Sequence, residues 1–366
     1  MTSERAVVRP ASTADAAAAL RDAADRDLTV VPRGAGLGWS TRTGDLIVDT
    51  GKLDQVIEHA AGDWIARIQA GATMAHVAEV LAAAGQRLAL DVPPEVTVGG
   101  MIATGLAGPL RLRYGSPRDL LIGITVVRAD GVVAHSGGKV VKNVAGYDLG
   151  RLFAGSRGTL GLITEATFRL HPLPQAVAYL TADLDRPAAV AAVIAAANSP
   201  LQPSAVELAA GAGYTVGVLL EGTADGVAER ARRMAELLGS AKTADAPPPW
   251  WGRLPAPPGT VIRVTFWLAR LAEVLDVIAK SGVECTVTGP AGAGMLYLCL
   301  GAEAGQPEAG QHEAGVHDAG GLVPALRAAV GDRGSVVELT GPPGPPSALM
   351  SAVRDQFDPG HRMGGA

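Results

Sequence analysis

Alternating and helical spacings of apolar residues divide the first part of the chain into short strands and helices. Residues 12–27 begin with Ser and Thr, carry acids early and alanines throughout, and predict a helix. Residues 28–32 and 45–50 are short apolar runs that predict strands. Residues 66–90 predict a strand, a turn, a helix that ends at Gly85, and a second strand.

Two further patterns place a domain boundary near residue 174. Residues 120–137 predict two strands joined by an Ala-Asp-Gly turn, and residues 162–174 alternate like a strand before ending in two prolines. We therefore predict one domain over residues 1–174 and a second domain over residues 175–366.

The second domain shows a coarse alternation of strands and helices. An amphipathic pattern predicts a helix over 226–239. The proline-rich residues 244–259 predict a loop that Trp250 and Trp251 anchor either to a core or to a partner. Residues 302–320 repeat an EAG unit and predict a solvated, flexible loop. The predicted strands have the sequences AYLTADL, YTVGVLLEG, IRVTFWL and MLYLCLG.

Composition then excludes several classes of protein. With 366 residues, 48% of them hydrophobic, the chain can bury two cores. Because only 4% of the residues are aromatic, we expect these cores to consist mainly of Ala, Val and Leu. A net charge of −5 argues against a nucleic-acid-binding protein, which carries a basic face.

The cysteines and the hydropathy indicate a soluble protein of the cytoplasm. Cys285 and Cys299 have no CxxC or CxH spacing, so we expect neither a zinc site nor an iron–sulfur cluster ligated by this chain. They also form no disulfide framework, which fits a reducing compartment. The start MTSERAVVRP lacks the apolar centre of a signal peptide, and no run of about 18 apolar residues predicts a transmembrane segment.

The segment PRGAGLGWS, residues 32–40, raises the first chemical question. Its G-x-G-x-G spacing differs from the G-x-G-x-x-G of a Rossmann fold, and residues 39–45 are too few to hold a crossover helix before the next strand. No Gly-Lys-Ser/Thr follows, which excludes a P-loop. Two interpretations stay open: a bare turn, or a loop whose N–H groups bind an anion with help from Arg33.

Two further glycine-rich segments favour a ligand. TVGGMIATGLAGP covers residues 97–109, and GSRGTLGLITE covers residues 155–165. Three such loops on one domain, with nearby arginines and hydroxyls, suit one large anionic ligand, although clustered turns in a glycine-rich protein are the alternative.

Together these motifs resemble a known superfamily. The run KVVKNVAGYDLGRLFAGSRGTLGLITEATFRLHPLP (139–174), preceded by PRGAGLGWS and TVGGMIATG, is similar to the FAD-binding domain of vanillyl-alcohol oxidase/PCMH flavoproteins, and most of all to the glycolate oxidase FAD-binding (E) subunit family. The resemblance covers about residues 7–174 and returns at 357–363. It implies an α+β fold: a PCMH-type FAD-binding domain of two α/β subdomains, followed by a smaller α/β cap domain of substrate type.

The resemblance also implies which residues bind FAD. The first loop would hold the pyrophosphate, the second would follow the ribityl and isoalloxazine parts, and the third would lie around the flavin and adenine ends. Ordinary turn capping is the alternative for Asp119 or Thr159 taken singly. The implied residues are Arg33, Gly34, Ala35, Gly36, Leu37 and Gly38; Thr97, Val98, Gly99, Gly100, Thr104 and Gly105; Gly115, Ser116 and Asp119; and Gly158, Thr159, Gly161 and Ile163.

The mode of attachment and the catalytic residues are a separate matter. Some relatives attach FAD covalently through a His of the first loop, where this chain has Leu37, so we expect non-covalent FAD. No HxxxH pair appears in the second domain, and the catalytic base is unassigned. His361 and Arg362 are the candidates for the substrate face of the flavin, with a solvated tail as the alternative. We predict no metal site, because the tract that holds His312 and His317 does not fix ligand geometry.

These expectations give one principal function and two alternatives. The resemblance implies the FAD subunit of a glycolate oxidase-like complex that oxidises a small 2-hydroxy acid to the 2-oxo acid. Its implied partners are a second, catalytic FAD subunit and an iron–sulfur subunit. We expect the chain to associate with a membrane only through these partner subunits. One alternative is a self-sufficient FAD-dependent oxidase or dehydrogenase. The other is a non-catalytic scaffold that has lost flavin. Ala35 and Arg157 differ from the residues common in the family, which favours this second alternative.

Overall fold

The computed structural model describes residues 6–36, 43–138, 148–211, 213–239, 241–254, 260–301, 321–340 and 348–364. The contacts divide the chain into two compact units. The first comprises Met1–Ala107, Gly115–Leu173 and Pro342–Ala366, and the second comprises Gly108–Tyr114 and Pro174–Gly341. The EAG-rich tract with His312 and His317 lies outside the described residues, so the loop predicted there stays a prediction.

Strands and helices are mixed along the described chain, in agreement with the predicted α+β class. The strands are β1 (Ala6–Val8), β2 (Val30–Arg33), β3 (Leu46–Asp49), β4 (Val56–Ala60), β5 (Ile65–Gln69), β6 (Gln86–Arg87), β7 (Leu121–Val127), β8 (Val133–Gly137), β9 (Leu162–Arg169), β10 (His171–Pro172), β11 (Ala176–Leu184), β12 (Ala205–Ala210), β13 (Tyr214–Gly222), β14 (Lys242–Ala244), β15 (Thr260–Thr265), β16 (Cys285–Gly289), β17 (Met295–Leu300) and β18 (Ser335–Glu338). The helices are α1 (Thr13–Asp25), α2 (Met74–Ala82), α3 (Val98–Thr104), α4 (Arg111–Tyr114), α5 (Pro117–Leu120), α6 (Leu149–Phe153), α7 (Arg186–Ala197), α8 (Ala224–Leu238), α9 (Leu271–Lys280), α10 (Leu322–Val330) and α11 (Ala348–Phe357). Across the described ranges, none of these helices has both the length and the apolarity needed to span a bilayer.

The first unit is built on two sheets. Parallel strands in the order β1-β3-β2 form the smaller sheet, and antiparallel strands in the order β4-β5-β9-β7-β8 form the larger one. Helix α1 buries Ala16 and Leu20 in one core with Val48 of the smaller sheet and with Val127 and Leu162 of the larger sheet. This shared core fixes the two sheets against each other.

The predicted helix over 12–27 is confirmed as α1, and its start follows from local chemistry. The Ser12 side chain accepts a hydrogen bond from the Asp15 N–H at 3.0 Å, which satisfies a backbone donor that a helix start leaves open. The predicted Ala-Asp-Gly turn is also confirmed, because β7 and β8 pair as an antiparallel hairpin across it.

The strands on either side of the first glycine-rich segment are parallel neighbours, with Val30 opposite Leu46. Residues 39–45, which are too few to hold a crossover helix, are only part of this connection. The whole connection runs over residues 34–45, and a crossover between parallel strands needs about a dozen residues. Parallel pairing was therefore missed because the glycines themselves belong to the crossover.

The second glycine-rich segment is a helix where we predicted a loop. Thr97 caps α3, since its Oγ1 accepts a hydrogen bond from the Gly100 N–H at 3.2 Å. Gly99 serves a close approach, because an added Cβ would lie 2.8 Å from the Cβ of Ala70. The loop prediction was wrong because adjacent glycines were taken as a turn signal, whereas they allow close packing of the helix on its neighbour.

The second unit is an eight-stranded antiparallel sheet in the order β14-β11-β13-β12-β16-β17-β15-β18. Each half follows the same chain order, β11-α7-β12-β13-α8-β14 and then β15-α9-β16-β17-α10-β18. This is the split βαβ arrangement of ferredoxin-like folds, here present twice. The two copies join through their second strands, β12 and β16. Apolar periodicity predicted single strands and helices of this unit but missed the repeat.

The two faces of this sheet differ in chemistry. Alternate apolar side chains such as Val216, Leu298 and Ile262 pack with the helices in one core. On the opposite face, a row of register neighbours crosses the sheet: Thr215, Ala209, Thr288, Tyr297 and Arg263. The sheet thus has one apolar face covered by helices and one face with polar side chains.

The tandem tryptophans anchor the proline-rich loop to that polar face. The Trp251 ring meets the Tyr179 ring edge-on, with centroids 5.1 Å apart. Gly217 leaves room for both indoles, because an added Cβ would lie 2.7 Å from Trp250 and 2.8 Å from Trp251. Of the two anchors predicted for this loop, a core or a partner, the tryptophans contact residues of the chain itself.

Alanine in place of Gly71 should destabilise the first unit. An added Cβ would clash with the carbonyl oxygen of Thr50, and the Gly71 N–H is held by the Leu53 carbonyl oxygen at 2.7 Å. We expect G71A to lower the free energy of unfolding in urea by about 1–3 kcal/mol. Gly62 has no atom within 4 Å of an added Cβ, so G62A is the matched control. Equal destabilisation by both variants would contradict the steric argument.

Candidate functional site

The first and second glycine-rich segments meet at one close contact. Gly34, directly after β2, lies against the buried side chain of Thr97, and an added Cβ at Gly34 would clash with Thr97 Oγ1. Since Thr97 also caps α3, this contact fixes the end of β2 against the start of the helix. Only glycine at position 34 permits this approach.

The third glycine-rich segment joins the other end of α3. The N–H groups of Gly155 and Arg157 donate to the carbonyl oxygens of Ile102 and Ala103 at 2.9 and 2.7 Å. These bonds satisfy carbonyl groups that the end of a helix leaves open. The same segment also approaches β2, because an added Cβ on Gly158 would lie 3.2 Å from Pro32 Cγ. The three segments therefore form one cluster around α3, as the proposal of a single ligand requires.

The first segment offers backbone donors. Gly36 has a φ of +68°, in the left-handed region, and both Ala35 and Gly36 are exposed. Their N–H groups meet no hydrogen-bond acceptor within the described part of the chain. A turn with a left-handed residue and free N–H groups can bind an anion. Leu37 and Gly38, also predicted for this loop, lie outside the described residues.

The second segment uses its backbone donors within the protein. The N–H groups of Val98 and Gly99 donate to the carbonyl oxygens of Ala72 and Ala70 at 2.9 and 2.7 Å. The Gly100 N–H is held by the Thr97 hydroxyl. Helix α3 is thus a rigid support, and a ligand would meet its surface by packing.

Residues at the end of α3 and at the start of α5 have local structural partners. Thr104 Oγ1 donates to the Gly100 carbonyl oxygen at 2.7 Å, and Gly105 ends the helix with a φ of +64°. The Ser116 N–H and hydroxyl donate to Asp119 Oδ2 at 2.8 and 2.7 Å. Turn capping, the alternative given for Asp119, is therefore part of its role. Gly115 precedes this cap with a φ of +86°.

The predicted residues of the third segment divide between turn and core. Gly158 has a φ of +77°, and Thr159 Oγ1 donates to the Ser156 carbonyl oxygen at 2.7 Å. Gly161 lies close to β7, because an added Cβ would be 2.7 Å from the Val127 carbonyl oxygen. Ile163 is buried in β9.

Sequence reasoning missed Ser156. Its side chain is 5% exposed, and its Oγ has no hydrogen-bond partner among the described residues. A buried hydroxyl without a partner is costly, so it marks a place where a bound polar group would supply the missing bond. The signal in the sequence was its position directly after Gly155, in the motif GSRG.

Arg33 is held beside the first segment by a carboxylate. Asp49 Oδ2 accepts from Arg33 at 2.9 Å and from Arg9 at 3.3 Å. Partial burial opposes ionisation of Asp49, but the hydrogen bonds from Arg33 and the Gly51 N–H, together with the charges of Arg33 and Arg9, keep its pKa below the usual value. Two cations share one anion here, which leaves a net positive charge beside the exposed N–H groups.

The catalytic candidates lie elsewhere. His361 Nε2 is 3.0 Å from Asp355 Oδ1. The Arg362 carbonyl oxygen accepts a hydrogen bond from the Val30 N–H at 2.7 Å. Val30 is the first residue of β2, whereas the glycines of the first segment follow the last residue of that strand. At the usual rise per residue, the two ends of the strand are about 13 Å apart. The structure therefore does not bring His361 and Arg362 together with the glycine segments.

The donors assembled here fit a large anionic cofactor. They comprise the N–H groups of Ala35 and Gly36, the net positive charge at Arg33, and the unsatisfied hydroxyl of Ser156. Comparison with protein families points to FAD as this cofactor. Residues 5–137 match the family described as FAD binding domain. These residues are similar to an FAD-binding domain. The match supports the vanillyl-alcohol oxidase/PCMH superfamily that the motifs resembled.

Several curated proteins are similar to part of this chain. The chain is 35% identical over 180 residues to glycolate oxidase subunit GlcD of Bacillus subtilis (strain 168), which covers 46% of this chain and 37% of the relative. It is 37% identical over 176 residues to D-lactate dehydrogenase of Archaeoglobus fulgidus, covering 45% and 38%. It is 39% identical over 124 residues to glycolate oxidase subunit GlcE of Escherichia coli (strain K12), covering 33% and 35%. These alignments span little more than a third of each relative's own length.

Solved structures support the fold over both units. A structure of alkyldihydroxyacetonephosphate synthase aligns with 98% of this chain and 75% of its own, with a TM-score of 0.69 and 18% identity. Chitooligosaccharide oxidase aligns with 97% of this chain and 89% of its own, with a TM-score of 0.67 and 16% identity. The predicted fold class, α+β with a PCMH-type FAD-binding domain, is confirmed.

Alanine at Gly34 should weaken FAD binding. The added methyl group would push β2 away from Thr97, which displaces the exposed N–H groups that follow. We expect G34A to raise the Kd for FAD about ten- to a hundredfold, the equivalent of about 1–3 kcal/mol of strain. Titration of the flavin-free chain with FAD, followed by flavin fluorescence, measures this.

A second substitution tests the cause. Thr97→Ala removes the hydroxyl that the new Cβ would meet, so G34A should cost less in that background than in the wild type. Gly138 has no atom within 4 Å of an added Cβ, and G138A is the control. Additive effects of G34A and T97A would contradict the proposed contact.

The carboxylate of Asp49 predicts an acid-dependent loss of stability. Because its pKa is lowered in the folded chain, its stabilising effect is present above the unfolded value near 3.8 and is lost as the pH falls through the folded value. Urea unfolding at pH 6 should show Asp49→Asn to be less stable than wild type, and the difference should shrink below about pH 3.8. A difference independent of pH would contradict the ion-pair account.

Proposed function

We propose that this chain is the FAD-binding subunit of a glycolate oxidase-like complex that oxidises glycolate or a related 2-hydroxy acid to the 2-oxo acid. The observation that carries the proposal is the meeting of the three glycine-rich segments around α3, in a domain that matches an FAD-binding family. Similarity to two glycolate oxidase subunits and to a D-lactate dehydrogenase supports the substrate class.

The chemistry divides between cofactor and protein. Oxidation of a 2-hydroxy acid to a 2-oxo acid removes two electrons and two protons, and bound FAD supplies the two-electron acceptor. The exposed N–H groups of Ala35 and Gly36 would bind the pyrophosphate, and Arg33 would offset its charge. Ser156 would give its buried hydroxyl to the cofactor, while Thr97 and α3 hold the segments in place.

We further propose that the FAD is not covalently bound. Position 37 in the first segment holds leucine, whose side chain has no nucleophilic atom. The other residues proposed to bind FAD are glycines, small hydroxyl residues and aliphatic residues, with Arg33 and Asp119 as the charged members. Both of these charged groups are held by neighbours, Arg33 by Asp49 and Asp119 by Ser116.

The partners in this proposal are a second subunit with its own FAD and an iron–sulfur subunit. Support comes from the relative of Escherichia coli, which is named as one subunit of a glycolate oxidase, and from the relative of Bacillus subtilis, which is named as another. The chain has two cysteines, Cys285 and Cys299. They point to opposite faces of the sheet, since Cys299 pairs with Thr286 next to Cys285. A cluster would therefore need ligands from another chain.

A self-sufficient dehydrogenase is the second candidate. The match to the D-lactate dehydrogenase of Archaeoglobus fulgidus favours it, because that protein's name describes an enzyme and not a subunit. The two candidates differ in whether the chain alone reduces an acceptor.

Purification of the chain alone tests the cofactor first. We expect a flavin absorption band, and FAD in the supernatant after acid precipitation, because Leu37 provides no covalent link. Flavin retained in the pellet would show covalent attachment elsewhere. A colourless chain that takes up no added FAD would favour a scaffold role. The G34A variant, treated identically, is the control for binding at the proposed site.

Turnover then separates the two enzyme candidates. We expect no dye reduction with glycolate or D-lactate by the chain alone, and reduction after co-expression with the catalytic and iron–sulfur subunits. Turnover by the isolated chain would support the self-sufficient dehydrogenase. Absence of turnover in the assembled complex with either acid would refute the proposed substrate class.

A further inference from the structure

Strand β2, which leads into the first glycine segment, lies at the edge of the small parallel sheet. The sheet order β1-β3-β2 gives β2 one strand partner, β3. An edge strand has a row of N–H and C=O groups without a ladder partner and moves more easily than a central strand. The position of Gly34 against Thr97 depends on this strand.

The segment 358–364 covers that edge. The Val30 N–H donates to the Arg362 carbonyl oxygen at 2.7 Å, and the Gly364 N–H donates to the Val30 carbonyl oxygen at 2.8 Å. Met363 forms a parallel bridge with Val30, and its side chain is fully buried in the core shared by α1 and the two sheets. We call residues 358–364 the clasp.

One buried carboxylate shapes the clasp. Asp358 is fully buried, and its two oxygens accept from the Arg362 N–H at 3.0 Å and from the Met363 N–H at 2.6 Å. The Arg354 guanidinium lies 4.0 Å from the same carboxylate and also donates to the Met363 carbonyl oxygen at 3.0 Å. Hydrogen bonds to a charged acceptor are among the stronger ones, so this carboxylate fixes the turn that presents Met363 to β2.

We infer that Asp358 is a positioning residue for the cofactor site: it holds the clasp on β2 and thereby holds Gly34, Ala35 and Gly36 in the arrangement that binds FAD. The inference rests on the FAD-binding role proposed above. Its physical basis is the tight contact at Gly34, which a shift of a few tenths of an ångström in β2 would change. His361 and Arg362, first considered for catalysis, act here through the backbone of the turn.

The variant Asp358→Asn tests the inference with almost no change in volume. An amide has one accepting oxygen, so one of the two N–H bonds is lost and the charge near Arg354 disappears. We expect the Kd for FAD to rise about tenfold or more. Asp355→Asn is the matched control, because Asp355 lies in α11, which Asp358 directly follows, is half exposed, and bonds only to the side chain of His361 among the contacts described.

Two further measurements separate positioning from a general loss of stability. Leu81→Ala removes a fully buried side chain of α2, away from β2, and should destabilise the unit while the Kd for FAD stays near the wild-type value. Hydrogen exchange should be faster at the Val30 and Gly364 amides in D358N and unchanged there in D355N. Equal loss of FAD affinity in D358N and L81A would overturn the inference.

The outcomes also distinguish this inference from the proposed function. If the wild-type chain binds no FAD, the proposed function fails, and hydrogen exchange alone still tests whether Asp358 holds the clasp. If the wild type binds FAD and D358N binds it with the same Kd, the proposed function stands and the positioning role is wrong.

Discussion

The close approach of the Gly34 backbone to the Thr97 side chain is the contact on which the proposed cofactor site depends. It joins the end of a parallel strand to the cap of α3, and α3 in turn holds the third segment through its last carbonyl groups. Two kinds of glycine serve this arrangement. Gly34 and Gly99 permit backbone approach, whereas Gly36 and Gly158 supply left-handed turns. The glycine content of the domain is thus a requirement of packing as much as of flexibility.

Charge at the site is arranged around the same strand. Arg33 and Arg9 share Asp49, which keeps an arginine beside the exposed backbone donors without leaving it unpaired. A single anion shared by two cations leaves room for a further negative group, and a pyrophosphate is such a group. By contrast, the predicted donors of the second segment are committed to Ala70, Ala72 and Thr97. The site therefore combines rigid support from α3 with free donors from the loop after β2.

The second unit solves a different structural problem. Two copies of one strand–helix arrangement join through β12 and β16 into a single sheet, so that one continuous core serves both copies. The opposite face carries the polar row from Thr215 to Arg263 and the seat of the paired tryptophans on Gly217. Because antiparallel sheets tolerate one polar face, the polar row does not disturb the core on the other face.

The sequence by itself determined the α+β class, most strands and helices of the first unit, and the three segments that meet at the site. These features depend on local periodicity and on motifs, which a single sequence contains. Only the tertiary structure decided that residues 98–104 are a helix, that β2 and β3 are parallel, and that Ser156 is buried without a partner. It also decided the role of residues 358–364, since Asp358 and Met363 act on a strand more than 300 residues earlier in the chain. Such pairings depend on which distant backbone groups find each other, and no local pattern records that choice.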